Sequence, residues 1–212
     1  MFVLDKVKYK DISTDNIVEF IQFWRQFYTG DDVSIYNSNE NINYISELNI
    51  NNNLTTENIK RLLRWKSPRY LTEIVKSKEE GKENELVKNI VNELDSFNQF
   101  RNNLITEKQF KNITDSIIKS DSVYKIYLFH IAKPNYYPIA DQHVFRTFNV
   151  HTNHPQTIFW DNYITYKEYF DIMVELYIEK LKIEDCITTR KQVDEALMSF
   201  GQFLGNYNQA NK

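Results

Sequence analysis

Apolar side chains recur every three or four residues along most of this chain, and nowhere do they alternate convincingly every second residue. Ile17, Phe20, Ile21, Trp24, Phe27 and Tyr28 set the pattern, and Ile59, Leu62 and Leu63 repeat it. That period lines one face of an α-helix, whereas a half-buried strand needs a period of two. The supply of turn formers agrees. Four glycines and four prolines in 212 residues are few for a β-sandwich or barrel, which turns about every 8–12 residues. An all-α fold with at least about eight helices is the expectation.

Starts and stops can be read along the chain. Ser13 or Thr14 opens a first helix, with Trp24 in its core face, and Gly30-Asp31-Asp32 closes it. The Asn-rich residues 33–53 read as loop with a short helix. Thr55-Thr56-Glu57 opens a helix that breaks at Ser67-Pro68, because a proline disfavours helix in the residue before it. Leu86, Ile90, Val91, Leu94, Phe97 and Leu104 predict one long helix. Thr106 and Gln109 fit a capping box, with Phe110, Ile113, Ile117 and Ile118 as the buried face. Ser120-Asp121-Ser122 then starts a helix that is apolar on nearly every side through Ile131, so it should be central. It ends at Lys133-Pro134-Asn135. A loop from His151 to Asp161 precedes a long helix through Tyr166, Phe170, Val174 and Leu181, and Thr188-Thr189 caps the last.

Hydrophobic residues at 42% and aromatics at 15% indicate a folded chain. Its length suits one compact all-α unit, residues 1–212, in one lobe or two; the two would be residues 30–135 and residues 1–29 with 136–212. The single cysteine, Cys186, excludes an intramolecular disulfide, a four-cysteine zinc site and a four-thiolate iron–sulfur cluster. No cofactor is expected. No apolar run reaches membrane-spanning length, and a cytoplasmic protein without a membrane partner follows as the expectation. The net charge of −3 hides an asymmetry. Residues 60–78 hold seven basic side chains against Glu73, whereas six basic face nine acidic residues after Val150.

One stretch concentrates the chemistry: Tyr136-Tyr137-Pro138-Ile139-Ala140-Asp141-Gln142-His143-Val144-Phe145-Arg146. Asp141 stands where a short amphipathic helix should start, anchored by Val144, Phe145 and Phe148. An aspartate there can cap the helix, whose positive end favours the ionised carboxyl; the same geometry can hold a carboxylate rigidly at the mouth of a cleft. Gln142 and His143 can touch a phosphate or orient Asp141, and His143 can equally be a packed residue. Arg146 suits a phosphate or a surface salt bridge. Trp65 and Lys66, inside the basic island, suit stacking on a base and holding a phosphate, or form a core tryptophan beside a solvated charge. Tyr136 and Tyr137 can wall a base pocket or pack beside the proline. Three of the four histidines lie between 143 and 154. Asp141, His143, His151 and His154 could therefore bind a divalent metal and activate water, although without the i, i+4 spacing of two ligands on one helix face.

The order of central apolar helix, short loop and Pro-Ile-Ala-Asp-Gln-His-Val-Phe-Arg resembles the catalytic segment of the helix-hairpin-helix (HhH-GPD) base-excision DNA glycosylases. The endonuclease III branch is the most similar, where the hairpin leads into V-D-x-H-[VI]-x-R. Asp141, His143, Val144 and Arg146 match that pattern, Pro138 and Ile139 fit the approach, and the likeness covers roughly residues 120–150. It implies a two-lobed helical bundle acting on double-stranded DNA that carries a damaged or modified base. It makes Asp141 the catalytic carboxylate and puts Ser120, Ser122 and Lys125 where the hairpin offers donors to DNA.

Three departures bear on the chemistry. The family's hairpin is glycine-rich because backbone must approach a phosphate there, whereas residues 119–123 here contain no glycine. Val123 takes the place of the Schiff-base lysine of bifunctional members, and Lys125 lies two residues on. The cysteine cluster of many relatives is missing. The resemblance therefore implies a monofunctional enzyme: a fixed carboxylate stabilises the sugar cation as the base leaves and activates water, the base being flipped into a pocket. Repair of a lesion and attack on a phage's modified nucleobase would use the same carboxylate. Two other readings stay open, a metal-dependent hydrolase built on the four residues above and a non-catalytic helical DNA- or protein-binding module.

Overall fold

The computed structural model describes residues 16–28, 44–48, 51–67, 84–120, 122–153 and 158–210. Every regular element among them is helical, as the apolar period requires: α1 (Ile17–Trp24), a 3-10 turn (Arg25–Phe27), α2 (Tyr44–Glu47), α3 (Thr56–Lys66), α4 (Glu85–Asn92), α5 (Leu94–Arg101), α6 (Glu107–Ile117), α7 (Val123–Ala132), α8 (Gln142–Thr152), α9 (Trp160–Leu181) and α10 (Ile187–Ala210). Among the described residues no helix is long and apolar enough to cross a membrane. The chain divides into two units that are each discontinuous in sequence. The first is Met1–Tyr28, Asp121–Ile126 and Tyr137–Lys212; the second is Thr29–Ser120 and Tyr127–Tyr136.

In the first unit α1, α8, α9 and α10 bury a common aromatic core. Phe20 meets Phe200 edge-on at 5.5 Å, Phe145 lies 5.2 Å from Tyr166, and Phe148 lies 5.2 Å from Tyr169. Two glycines let α10 come close to α8. A Cβ added at Gly201 would stand 1.9 Å from the carbonyl oxygen of His143, and one added at Gly205 would stand 2.5 Å from Nη1 of Arg146. The α9–α10 turn is clamped by Arg190, which donates to Asp171 at 2.9 Å and to both oxygens of Asp185 at 2.8 Å.

In the second unit Phe97, Phe100 and Phe110 pack with Phe129 of α7. Phe100 stacks on Phe110 at 4.3 Å, and Phe110 meets Phe129 at 4.9 Å. The α7 residues 125–132 are all buried, so the helix that is apolar on nearly every side is central. The buried Arg101 holds its C-terminal end, donating to the carbonyls of Ile131 and Ala132 at 3.1 and 3.2 Å and to that of Leu48 at 2.9 Å. Those are carbonyls that a helix terminus leaves without intrahelical donors.

Capping chemistry explains where expectation and structure agree and where they part. Thr55 caps α3 in a capping box completed by Asn58, and Thr106 caps α6 in a box completed by Gln109. The long helix expected from Leu86 to Leu104 is instead α4 and α5, broken at Glu93 (φ −94°, ψ 14°). It stops early because Asn103 takes the left-handed conformation (φ 60°), with Leu104 N–H donating back to Gln99 and Asn103 N–H to Phe100. This is the Schellman arrangement with asparagine in the usual glycine place, and it leaves Leu104 74% exposed. On α6 the fully buried positions are Phe110 and Thr114; Ile113, Ile117 and Ile118 are half-buried. His151 belongs to the last turn of α8, not to a loop, and Trp160 already opens α9.

The last helix starts one residue before Thr188. Cys186 stands at its cap: its carbonyl accepts from Arg190 N–H at 3.0 Å, and its thiol meets the Thr189 hydroxyl at 3.4 Å. That hydroxyl contact, with the N–H groups of Thr189 and Thr188, lowers the thiol's pKa. Ser13, Thr14, Gly30, Pro68, Asp121, His154 and Pro155 lie outside the described residues.

Candidate functional site

Asp141 is the N-cap of α8. Its backbone is extended (φ −150°, ψ −177°), and its Oδ1 accepts the N–H groups of His143 at 2.7 Å and Val144 at 3.2 Å. These are two of the donors that the first helical turn leaves without backbone acceptors. No hydrogen bond reaches Oδ2 from the described residues. The approach is held as firmly as the helix. Tyr163 donates its hydroxyl to the Pro138 carbonyl at 3.0 Å, and Tyr166 donates to that of Ile139 at 3.3 Å. Burial pushes the Tyr166 phenol well above its ordinary pKa, with Asp194, Tyr169, Tyr163 and Asp141 adding to it, so it stays a donor. The carboxylate is thus fixed by its own helix and by two hydroxyls of α9. Tyr163 and Tyr166 escape a reading of the sequence because they sit at core spacing on α9 and look like plain packing residues.

Three neighbours join Asp141 in the first unit. Arg146 Nη1 lies 2.9 Å from His143 Nδ1, and its Nη2 donates to Gln142 Oε1 at 3.3 Å. Gln142 is exposed, whereas His143 and Arg146 are half-buried. Gln142, His143 and Arg146 therefore form one polar group on the first turn of α8, which the motif's spacing anticipates. Tyr137 is buried at 6% exposure.

Lys125 does not fit the role expected for it. At 3% exposure its side chain lies inside the fold, where it cannot serve as a surface contact for DNA; its place two residues into the apolar face of α7 turns it inward. Ser122 acts as a cap, its Oγ accepting the N–H of Lys125 at 3.4 Å. Ser120 is exposed.

The remaining sequence candidates fall in the second unit. Trp65 stacks on Tyr44 with ring centroids 4.0 Å apart, and Tyr127 lies nearly parallel to it at 6.3 Å. His130 extends the group, 5.9 Å from Tyr44 and 6.0 Å from Tyr127. Its Nε2 is hydrogen-bonded to the Tyr44 hydroxyl. Tyr127 donates to the Leu62 carbonyl at 2.8 Å, and Lys66 Nζ rests 5.5 Å from the centre of the Tyr127 ring. Trp65 is a half-buried member of this stack, and one of its faces is occupied by Tyr44. Tyr136 is 64% exposed, with Lys133 Nζ 5.8 Å from the centre of its ring, so it stands on the surface. His130 is the member least visible in the sequence, a polar residue, like Lys125, in a largely apolar helix.

Of the histidine–carboxylate set, Asp141, His143 and His151 lie among the described residues, and these three are not placed to hold a metal ion. His143 and His151 are eight residues apart on one helix, α8, about 12 Å along its axis at ~1.5 Å per residue. His151 is also committed elsewhere, its Nδ1 hydrogen-bonded to Tyr169. Among the described residues no group of three or more His, Cys, Asp or Glu side chains is placed to hold a metal ion. Compared with family models, curated proteins and solved structures, the chain finds no match.

Proposed function

We propose that the chain is a monofunctional DNA glycosylase, hydrolysing the N-glycosidic bond of a flipped, damaged or modified base with Asp141 as its catalytic carboxylate. The observation that carries this reading is the immobilisation of Asp141: one oxygen is held by two backbone N–H groups, and the preceding carbonyls are held by Tyr163 and Tyr166. Charge develops on the sugar as the base departs, and a preorganised carboxylate stabilises that charge with no reorganisation of its own. The same group orients or deprotonates the attacking water. With Val123 in the place of a Schiff-base lysine, and Lys125 buried, the reading includes base release without strand cleavage.

The test is a panel of duplex DNAs carrying alkylated, oxidised, deaminated or hypermodified bases, incubated in EDTA and assayed for abasic sites. Asp141→Asn is the informative variant, because asparagine caps a helix as well as aspartate does. Base release should fall by about 10²–10⁴-fold while DNA binding and folding persist. Full activity in Asp141→Asn, or activity that dies in chelator, overturns the reading. DNA binding without base release from any substrate leaves the non-catalytic module, which the glycine-free residues 119–123 and the burial of Lys125 favour.

A further inference from the structure

Threonine inside a helix ordinarily returns its hydroxyl to a carbonyl three or four residues back in the same helix. Thr114 does so to Lys111, Thr152 to Phe148 and Thr165 to Asp161. Thr147, in the middle of α8, does not. It is fully buried, and its Oγ1 donates at 2.7 Å to the carbonyl of Leu197 on α10, 50 residues away.

This bond lies where the two helices touch. The α-helical pattern makes Leu197 O the acceptor of the Gly201 N–H and His143 O the acceptor of the Thr147 N–H, and a carbonyl has two lone pairs to share. Gly201 is where an added Cβ would stand 1.9 Å from that same His143 oxygen. A glycine face lets two backbones approach, but it lodges no side chain in the grooves of the other helix, and apolar contact has no direction. The Thr147 hydroxyl supplies the direction. Its bond is well formed at one register of α8 on α10 and is lost when α8 slides or turns.

That register reaches the carboxylate. Thr147 is the i+4 and i+3 neighbour of His143 and Val144 on the helix surface, and the N–H groups of those two residues hold Asp141 Oδ1 at 2.7 and 3.2 Å. A catalytic group misplaced by about 1 Å can lose about 10²-fold in rate.

We propose that Thr147 is a positioning residue, whose hydroxyl fixes the register of α8 on α10 and, through the first turn of α8, the place of the Asp141 carboxylate. Its effect on catalysis rests on the glycosylase reading; the register does not.

Thr147→Val removes the hydroxyl at nearly the same volume, and Thr147→Ser keeps it. In the intact, DNA-free protein, amide hydrogen exchange at His143 and Val144 should speed about fivefold in Thr147→Val. The amide of Val174, in the core of α9, should follow only the change in global stability, and Thr147→Ser should restore the parent rates. Single-turnover base release from the panel duplex that the parent protein processes should fall about 10–10²-fold in Thr147→Val. Affinity for that duplex should not change, and Thr147→Ser should recover most of the rate. Unchanged exchange at His143 and Val144 in Thr147→Val, or equal acceleration there and at Val174, overturns the register. Accelerated exchange with parental base release overturns the positioning role and leaves the glycosylase reading standing. A parent protein that releases no base from any duplex overturns the positioning role and that reading together, while exchange still decides the register.

Discussion

His151 shows how much one side chain on α8 depends on its surroundings. Its ring lies 5.5 Å from Phe20 and 5.7 Å from Phe200, and its Nδ1 is bonded to Tyr169. Burial raises the pKa of the Tyr169 phenol, so that hydroxyl stays protonated and can donate to Nδ1. The imidazole proton is then on Nε2, which is buried with no hydrogen-bond partner among the described residues. Burial lowers the pKa of His151 to about 4, against about 6.5 for a histidine in an unfolded chain. The unfolded chain therefore takes up the proton first. The neutral ring's contribution to stability is fully present above about pH 6.5 and is lost as the pH falls toward 4, by at most about 3 kcal/mol. Urea unfolding between pH 7 and 4.5 should show this slope, and His151→Phe should flatten it while costing about 1 kcal/mol at pH 7 for the Tyr169 hydroxyl left without its acceptor. Parallel pH profiles for the two proteins would show that His151 is not the buried neutral group. Nothing in the residue order separates this histidine from His143, since both sit in one short, polar-looking stretch. What distinguishes them is what each ring meets: Arg146 at 2.9 Å for His143, and Phe20, Phe200 and Tyr169 for His151.

Between elements, the contact that matters most for the candidate site is α8 against α10, where Gly201 and Gly205 stand one turn apart on the same face. Both are in a helix interior, where alanine is the better helix former. Their opposite surroundings predict opposite outcomes. A Cβ at Gly201 meets the backbone of His143, with O at 1.9 Å and C at 2.5 Å, and neither can yield unless a helix moves. Gly201→Ala should lose about 1–3 kcal/mol by overpacking, which outweighs its gain in propensity. Gly205→Ala should be neutral or slightly stabilising. Thermal melts of the two variants suffice; a midpoint for Gly201→Ala at or above the parent's would mean that α8 and α10 are not in backbone contact there. The helices themselves were legible, because capping boxes at Thr55 and Thr106 and the Asp141 cap are local chemistry. The break at Glu93, the stop at Asn103 and the cap at Cys186 were not. Asn103 adopts a conformation that glycine normally marks, Cys186 is an unusual cap, and Glu93 interrupts an apolar period that continues through it. The two glycines of α10 read as helix-weakening residues until the α8 backbone is placed against them.

For the molecule as a whole, the period of apolar residues made the all-helical class readable, since the buried faces of α1, α3 and α9 obey it. The meeting of Tyr44, Trp65, Tyr127 and His130 was not readable, because stacking between rings distant in sequence leaves no local pattern. Charge stands between these cases. The net value of −3 argues for no anionic partner, whereas the basic island of residues 60–78 does. Its described part falls on α3, where Lys60, Arg61, Arg64 and Lys66 are all half-buried. Arg61 is engaged with Glu47 at 3.0 Å, and Lys60, Arg64 and Lys66 are the other cations of α3. If α3 faces DNA, each neutralised phosphate releases counterions, and the dependence of log K on log salt steepens by about one per contact. Lys60→Glu and Arg64→Glu should each weaken binding uniformly across sequences and reduce the salt slope by about one. Lys180→Glu, on the acidic half of the chain, should leave the slope unchanged. Fluorescence-anisotropy titrations of a modified-base duplex between roughly 50 and 200 mM salt, the range over which phosphate contacts are most sensitive, read all three variants. Equal losses in the three would mean that the field of the whole protein governs encounter. A loss confined to the α3 variants would place the DNA backbone along the helix that carries Trp65.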